Sequence, residues 1–258
     1  MLGILHAQLQ KHVVILGDSN TFLGGDNCDK PQGWNKWFKD CVKPLSCHSY
    51  ARSGATWTHT SQTEYNTQEN IGIIGDQNVI YNQVNRLKEA VAAGQQPVPD
   101  LILIMAGTND LWFADKRPHA LERRASDLYV KPVTTLLYLQ PRELTQLCQC
   151  VCYDCELLLK AFPKVSIILI TPPQNTKTAI NDQLQVGNLI QGCAEEFRLG
   201  LIRLDEASDV FFGPELIKRK YSKDGVHTTV KGAQVLGKYI SKEVQMLLQK
   251  QLRNDGIL

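Results

Sequence analysis

The chain has 258 residues with 28 Lys and Arg against 26 Asp and Glu, a formal net charge of +2, so no one-signed field is available to recruit nucleic acid or an anionic membrane. Hydrophobic residues make up 43%, enough for one sizeable core, and the longest apolar runs, LILIMAG and VSIILITPP, are far too short to cross a bilayer. These bounds point to a single domain over 1–258 with a small neutral substrate, no nucleic-acid partner and no transmembrane segment.

Taken in chain order, the first ten residues, starting MLGILHAQ, allow two readings. They resemble the end of a truncated signal peptide, which implies a periplasmic or secreted protein, or they are an ordinary leader before the first strand, which implies a cytoplasmic one. The compartment stays open. Residues 12–17 (HVVILG) have the aliphatic, β-branched composition of a buried strand and run into Gly17-Asp18-Ser19-Asn20. Trp34, Trp37 and Phe38 fit the packing face of a short helix, with Trp34 beside Gly33 as a candidate border of a pocket. A second strand over 47–52 (CHSYAR) leads into Ser53-Gly54-Ala55, and a helix over 78–93 is ended by Gly94. The third strand, 101–106, ends in Gly107-Thr108-Asn109-Asp110.

Residues 111–140 are expected to form helices or loops over one end of the sheet. The helix predicted over 141–161 contains Cys148, Cys150, Cys152 and Cys155. Four thiols so close could form a zinc shell, yet Leu144, Leu147, Cys148, Cys152, Cys155 and Leu158 recur at spacings of three and four, the pattern of a packed helix face. Cysteine there acts as a small hydrophobe, and no metal site is expected. Cys150 falls off the stripe. Strands at 165–171 and 200–204, a helix at 178–198 and a last helix at 228–252 complete the pattern. Strands alternating with helices, and apolar on both faces, predict an α/β fold: a three-layer α/β/α sandwich around a five-stranded parallel sheet.

Ligands of open parallel sheets bind beyond the carboxyl ends of the strands, where the three polar clusters should meet. A serine hydroxyl needs an imidazole to take its proton and a carboxylate to orient the ring. In YSKDGVHTTVKG, Asp224 precedes His227 by three residues, so both can point the same way from one turn. The N–H groups of Ser19 and Gly54 and the amide of Asn109 are candidate donors to an oxyanion. Asp18 and Asp110 are expected to support the loops around Ser19 and Asn109. Each cluster alone also has a plain reading: Ser19 as a helix cap, Gly107–Asp110 as a turn, Thr228 as the cap of the last helix. No phosphate loop, dinucleotide fingerprint or Gly-x-Ser-x-Gly elbow is present.

Gly17-Asp18-Ser19, Gly54, Gly107-x-Asn109-Asp110 and Asp224-x-x-His227, in that order across nearly the whole chain, resemble the SGNH hydrolase superfamily, the GDSL esterases and lipases. The resemblance implies a flavodoxin-like sheet order and no metal or organic cofactor. It also implies Ser19 as nucleophile, His227 as general base, Asp224 as its orienting partner, and Ser19, Gly54 and Asn109 as the oxyanion hole. Asn20 stands where the nickname has Leu, a substitution without evident chemical consequence. The ARSGAT block lacks the Asn that many members place shortly before the Gly. The expected reaction is hydrolysis of carboxylic esters through an acyl-serine, favouring acetyl groups on carbohydrate, with lysophospholipase, thioesterase and O-acyltransferase activities as alternatives.

Overall fold

The structure, a computed structural model, describes residues 9–207 and 218–254. The MLGILHAQ start, read above as a leader or signal remnant, lies outside the described residues. Five strands form one parallel sheet: β1 (His12–Gly17), β2 (Ser46–Ser49), β3 (Leu101–Met105), β4 (Ser166–Ile170) and β5 (Gly200–Ile202), in the order β2-β1-β3-β4-β5. That is the flavodoxin-like order, and the direction of winding reverses between β1 and β3.

Because successive strand residues point to opposite faces, each strand feeds two cores. Val14, Leu16, Ile102, Ile104, Ile167 and Leu169 face α3 (Ile80–Ala92), α5 (Leu147–Ala161) and α6 (Ile180–Glu196). Val13, Ile15, Leu101, Leu103, Ile168 and Ile170 face α2 (Trp34–Val42) and the last helix, α7 (Val230–Asn254). β3 is buried at all five residues, as its position at the centre of the sheet demands. Trp34 is fully buried, donates its indole N–H to Thr21 Oγ1 (3.0 Å) and meets Phe38 edge-on, so it packs the core and does not border a pocket. Two further helices among the described residues are short: α1 (Ser19–Phe22) and α4 (Thr108–Trp112).

Several predicted boundaries move, β2 ending at Ser49 instead of 52 and β5 at Ile202 instead of 204, and two of the shifts have a visible cause. The helix expected from 141 starts at Leu147, after a 3-10 turn at Pro141–Glu143, because the Leu144 carbonyl leaves the helical path. It accepts instead from the His59 N–H (3.1 Å) and the Cys150 thiol (3.1 Å). That bond accounts for Cys150, which is as buried as the Cys148, Cys152 and Cys155 stripe, since α5 is covered on almost every side. Thr228 spends its hydroxyl on the Gln32 carbonyl, and Thr229 takes the capping bond from the Gly232 N–H. Among the described residues no three His, Cys, Asp or Glu side chains gather as a metal set, and no helix is long and apolar enough to cross a membrane.

Candidate active site

The Ser19 turn begins where β1 runs out of sheet. Gln83 on α3 uses both ends of its amide to hold Gly17, accepting from its N–H (2.9 Å) and donating to its carbonyl (2.8 Å). Asp18 then caps α1 by accepting from the Asn20 N–H (3.1 Å). Burial drives the Asp18 carboxyl up to about 7, although the bond from Asn20 and the nearby His227 ring pull the other way.

The second component is the turn before α7. Asp224 Oδ1 accepts from the Val226 N–H (2.9 Å) and the His227 N–H (2.7 Å), while Oδ2 lies 2.7 Å from His227 Nδ1. Partial burial pushes the Asp224 carboxyl upward, but the ring and backbone hydrogen bonds outweigh it and hold the group at about 2. It is therefore an ionised, acceptor-only partner at neutral pH, and the stability it lends is whole above about pH 3.9 and lost as pH falls from there through about 2. A carboxylate at Nδ1 fixes the proton there and leaves Nε2 as an acceptor. His227 Nε2 is 3.0 Å from Ser19 Oγ, across 208 positions of chain.

The third and fourth components come from the loops after β2 and β3. Asn109, at the start of α4 and nearly buried, donates one amide N–H to the Ala55 carbonyl (2.9 Å), which fixes its orientation and leaves its second N–H uncommitted. Asp110 binds the same stretch by accepting from the N–H groups of Trp57 (3.1 Å) and Thr58 (2.8 Å) and from the Thr58 hydroxyl (2.6 Å). Burial raises its carboxyl, and these bonds oppose the rise. Gly54 has φ +80°, and a Cβ there would sit 2.4 Å from the Ile73 carbonyl oxygen, so only glycine fits. Neither the Ser19 nor the Gly54 N–H has an acceptor among the described residues.

Several residues of this region escaped the sequence reading. Asn78 donates to the Ser53 (2.7 Å) and Ile73 (2.9 Å) carbonyls and pins the Gly54 turn from a position downstream of it, although the motif leads one to look for an Asn upstream. Asn20, expected to replace Leu without evident consequence, is instead a buried residue that donates to the Val226 carbonyl (3.1 Å) and accepts from the Thr228 N–H (3.2 Å). Phe22 and Trp112, three residues after Ser19 and Asn109 on their short helices, are exposed at 42% and 47%. A buried Asn or Gln beside a motif carries no periodic signal, so patterns could not have found these contacts.

The family model for GDSL-like lipase/acylhydrolase matches residues 13–240. No curated protein matches the chain. Among solved structures it is similar to a Bacteroides ovatus protein described as a GDSL-like lipase, at 18% identity and TM-score 0.56, over 94% of this chain and 100% of that one. It is also similar to a carbohydrate esterase family 2 enzyme with a carbohydrate-binding domain from Corynascus thermopiles (Myceliophthora fergusii), at 15% identity and TM-score 0.55, over 94% of this chain and 68% of that one. A family two carbohydrate esterase from Clostridium thermocellum, solved with cellohexaose, is similar at 12% identity and TM-score 0.53, over 94% of this chain and 66% of that one. At these identities the likeness is one of fold. The family match, which runs from β1 through the Ser19 turn and His227 into α7, shows that the chain belongs to the GDSL-like lipase/acylhydrolase family, hydrolases that act on esters.

Proposed function

We propose that the chain is a serine esterase in which Ser19 is the nucleophile, His227 the general base and Asp224 the residue that orients it. The observation that carries this reading is the unbroken relay from Asp224 Oδ2 through the two ring nitrogens of His227 to Ser19 Oγ, at 2.7 and 3.0 Å. Ser19 Oγ attacks the ester carbonyl as its proton passes to His227 Nε2. The oxyanion rests on the N–H groups of Ser19 and Gly54 and the free amide N–H of Asn109. His227 then protonates the departing alcohol oxygen, and a water activated by the same nitrogen cleaves the acyl-Ser19 ester. Asp18 and Asp110 act as supports through the backbone bonds described above.

The preferred substrate is a short acyl ester, acetyl on a carbohydrate alcohol. Its support is the similarity to two carbohydrate esterases. A second reading, a lysophospholipase or thioesterase with a longer acyl group, is favoured by the exposed Phe22 and Trp112 on the helices that carry Ser19 and Asn109, and by the exposed Ile73 and Ile74 in the loop packed against Gly54. The test is wild type and Ser19→Ala on p-nitrophenyl esters from acetate to palmitate, acetylated oligosaccharides and acyl thioesters. Loss of all hydrolysis in Ser19→Ala is expected, and turnover retained by that variant overturns the mechanism. Acyl transfer to an added sugar acceptor, read by product analysis, would instead assign an O-acyltransferase.

A further inference from the structure

Ser19 and His227 come from opposite ends of the chain, so the 3.0 Å between Oγ and Nε2 must be set by something that spans the two turns. The Asp224 carboxylate orients the ring but sits on the same turn as His227, and it cannot fix that turn relative to Ser19. Asn20 can. Its carboxamide donates to the carbonyl of Val226 and accepts from the N–H of Thr228, the two residues flanking His227.

We propose that Asn20 is a positioning residue for catalysis, a clamp that holds the His227 backbone at the working distance from the neighbouring Ser19. This rests on the serine-esterase reading above. Three features make the clamp rigid. Asn20 is 2% exposed, so the two bonds do not compete with bulk water. Its own N–H is tied to Asp18 Oδ1, which fixes the residue to the nucleophile turn. Thr228, on the far side, is 2% exposed and anchors its hydroxyl on Gln32, ahead of α2. The amide supplies the one donor and the one acceptor that the Val226 carbonyl and the Thr228 N–H need, whereas an apolar side chain offers neither.

The consequence is kinetic. A misplacement of about 1 Å between reacting groups can cost about 100-fold in rate while the substrate still binds. Asn20→Leu, which keeps the branched heavy-atom shape and loses both bonds, and Asn20→Ala should therefore lower kcat on p-nitrophenyl acetate by about 10- to 100-fold per folded molecule, with KM changed by less than about threefold. Folded fraction is taken from thermal melts by circular dichroism. Asn20→Asp, which keeps the acceptor for Thr228 and loses the donor to Val226, should fall between wild type and Asn20→Leu when assayed in the same way; it also reports if the other two fail to fold. If the variants melt earlier but the folded molecules keep kcat within twofold of wild type, Asn20 is structural glue and the proposal fails. The Ser19→Ala control separates the two levels: an active Ser19→Ala removes the esterase reading itself, while an inert Ser19→Ala beside a fully active Asn20→Leu removes only the clamp.

Discussion

The Asp224 carboxylate grips His227 twice, once at ring Nδ1 and once at the residue's own backbone N–H, both at 2.7 Å. Orientation and charge are thereby supplied by one side chain. Replacing it with Asn puts an amide N–H against Nδ1, which shifts the ring proton to Nε2, and Nε2 then has no lone pair for the Ser19 hydroxyl. Asp224→Asn should lower kcat by about four decades, as the equivalent change does in a serine protease, and His227→Ala by three to four. Steady-state hydrolysis of p-nitrophenyl acetate measures both; a loss below tenfold in either would remove that residue from the mechanism.

Gly54 and Asn109 should fail in different ways. Asn109→Ala removes the oxyanion donor and the bond to the Ala55 carbonyl, so kcat should drop about 100- to 1000-fold with little change in KM and a modest fall in melting temperature. Gly54→Ala must move the Ile73 carbonyl and adopt a φ of +80°, so it should lower both the melting temperature and the rate. Melting curves run beside kinetics distinguish the two; an unaltered melt in Gly54→Ala would refute the steric account.

Asp18 should make stability depend on pH near neutrality. Its folded carboxyl, raised to about 7 by burial, lies above the unfolded value of about 3.9. The sign follows: the contribution is whole below about pH 3.9 and declines as pH rises through about 7. Asp18→Asn keeps the acceptor for the Asn20 N–H and does not titrate. Denaturation at pH 5 and pH 8 should show wild type losing on the order of a few kcal/mol relative to the variant. Parallel pH profiles would contradict this.

Asp154 is buried in α5 with neither oxygen hydrogen-bonded among the described residues, and burial pushes its carboxyl well above the ordinary range. Its raised value carries the same sign, a penalty that grows with pH. Asp154→Leu should stabilise the protein by about 1 kcal/mol or more at pH 8, with a smaller gain at pH 5. Chemical denaturation at the two values decides it, and a destabilised variant at pH 8 would show that the carboxyl has a compensating partner.

Phe22 and Trp112 should matter to the second substrate reading alone. If they receive an acyl chain, Phe22→Ala and Trp112→Ala raise KM for octanoate esters by about 5- to 150-fold and leave acetate esters unchanged, since each truncation removes apolar contact worth about 1–3 kcal/mol. Equal effects on both esters would assign them to the fold.

What the sequence made legible was whatever repeats or breaks a pattern. β1, β3 and β4 announce themselves as aliphatic runs, and the strand ends follow at their polar residues. Gly17, Ser19 and His227 stand in motifs that their chemistry demands. The hidden part consists of amides that satisfy backbone groups far along the chain: Gln83 on Gly17, Asn78 on Ser53, Asn20 on Val226. Such bonds depend on which loops meet, a property of topology that spacing in one sequence does not carry. The displaced start of α5 has the same origin, because the Leu144 carbonyl is claimed by His59, a residue far earlier in the chain.

The tight seat of Gly237 on α7 works as a calliper on the spacing of two helices. A methyl group added there would strike the Trp34 carbonyl oxygen at 2.4 Å and Trp37 Cβ at 2.6 Å, prising α7 from α2. These helices lie just downstream of the His227 and Ser19 turns, so their spacing gauges the opening between the jaws. A larger residue at 237 would therefore be felt at the nucleophile helix, because Trp34, displaced by it, is the residue whose indole is bonded to Thr21.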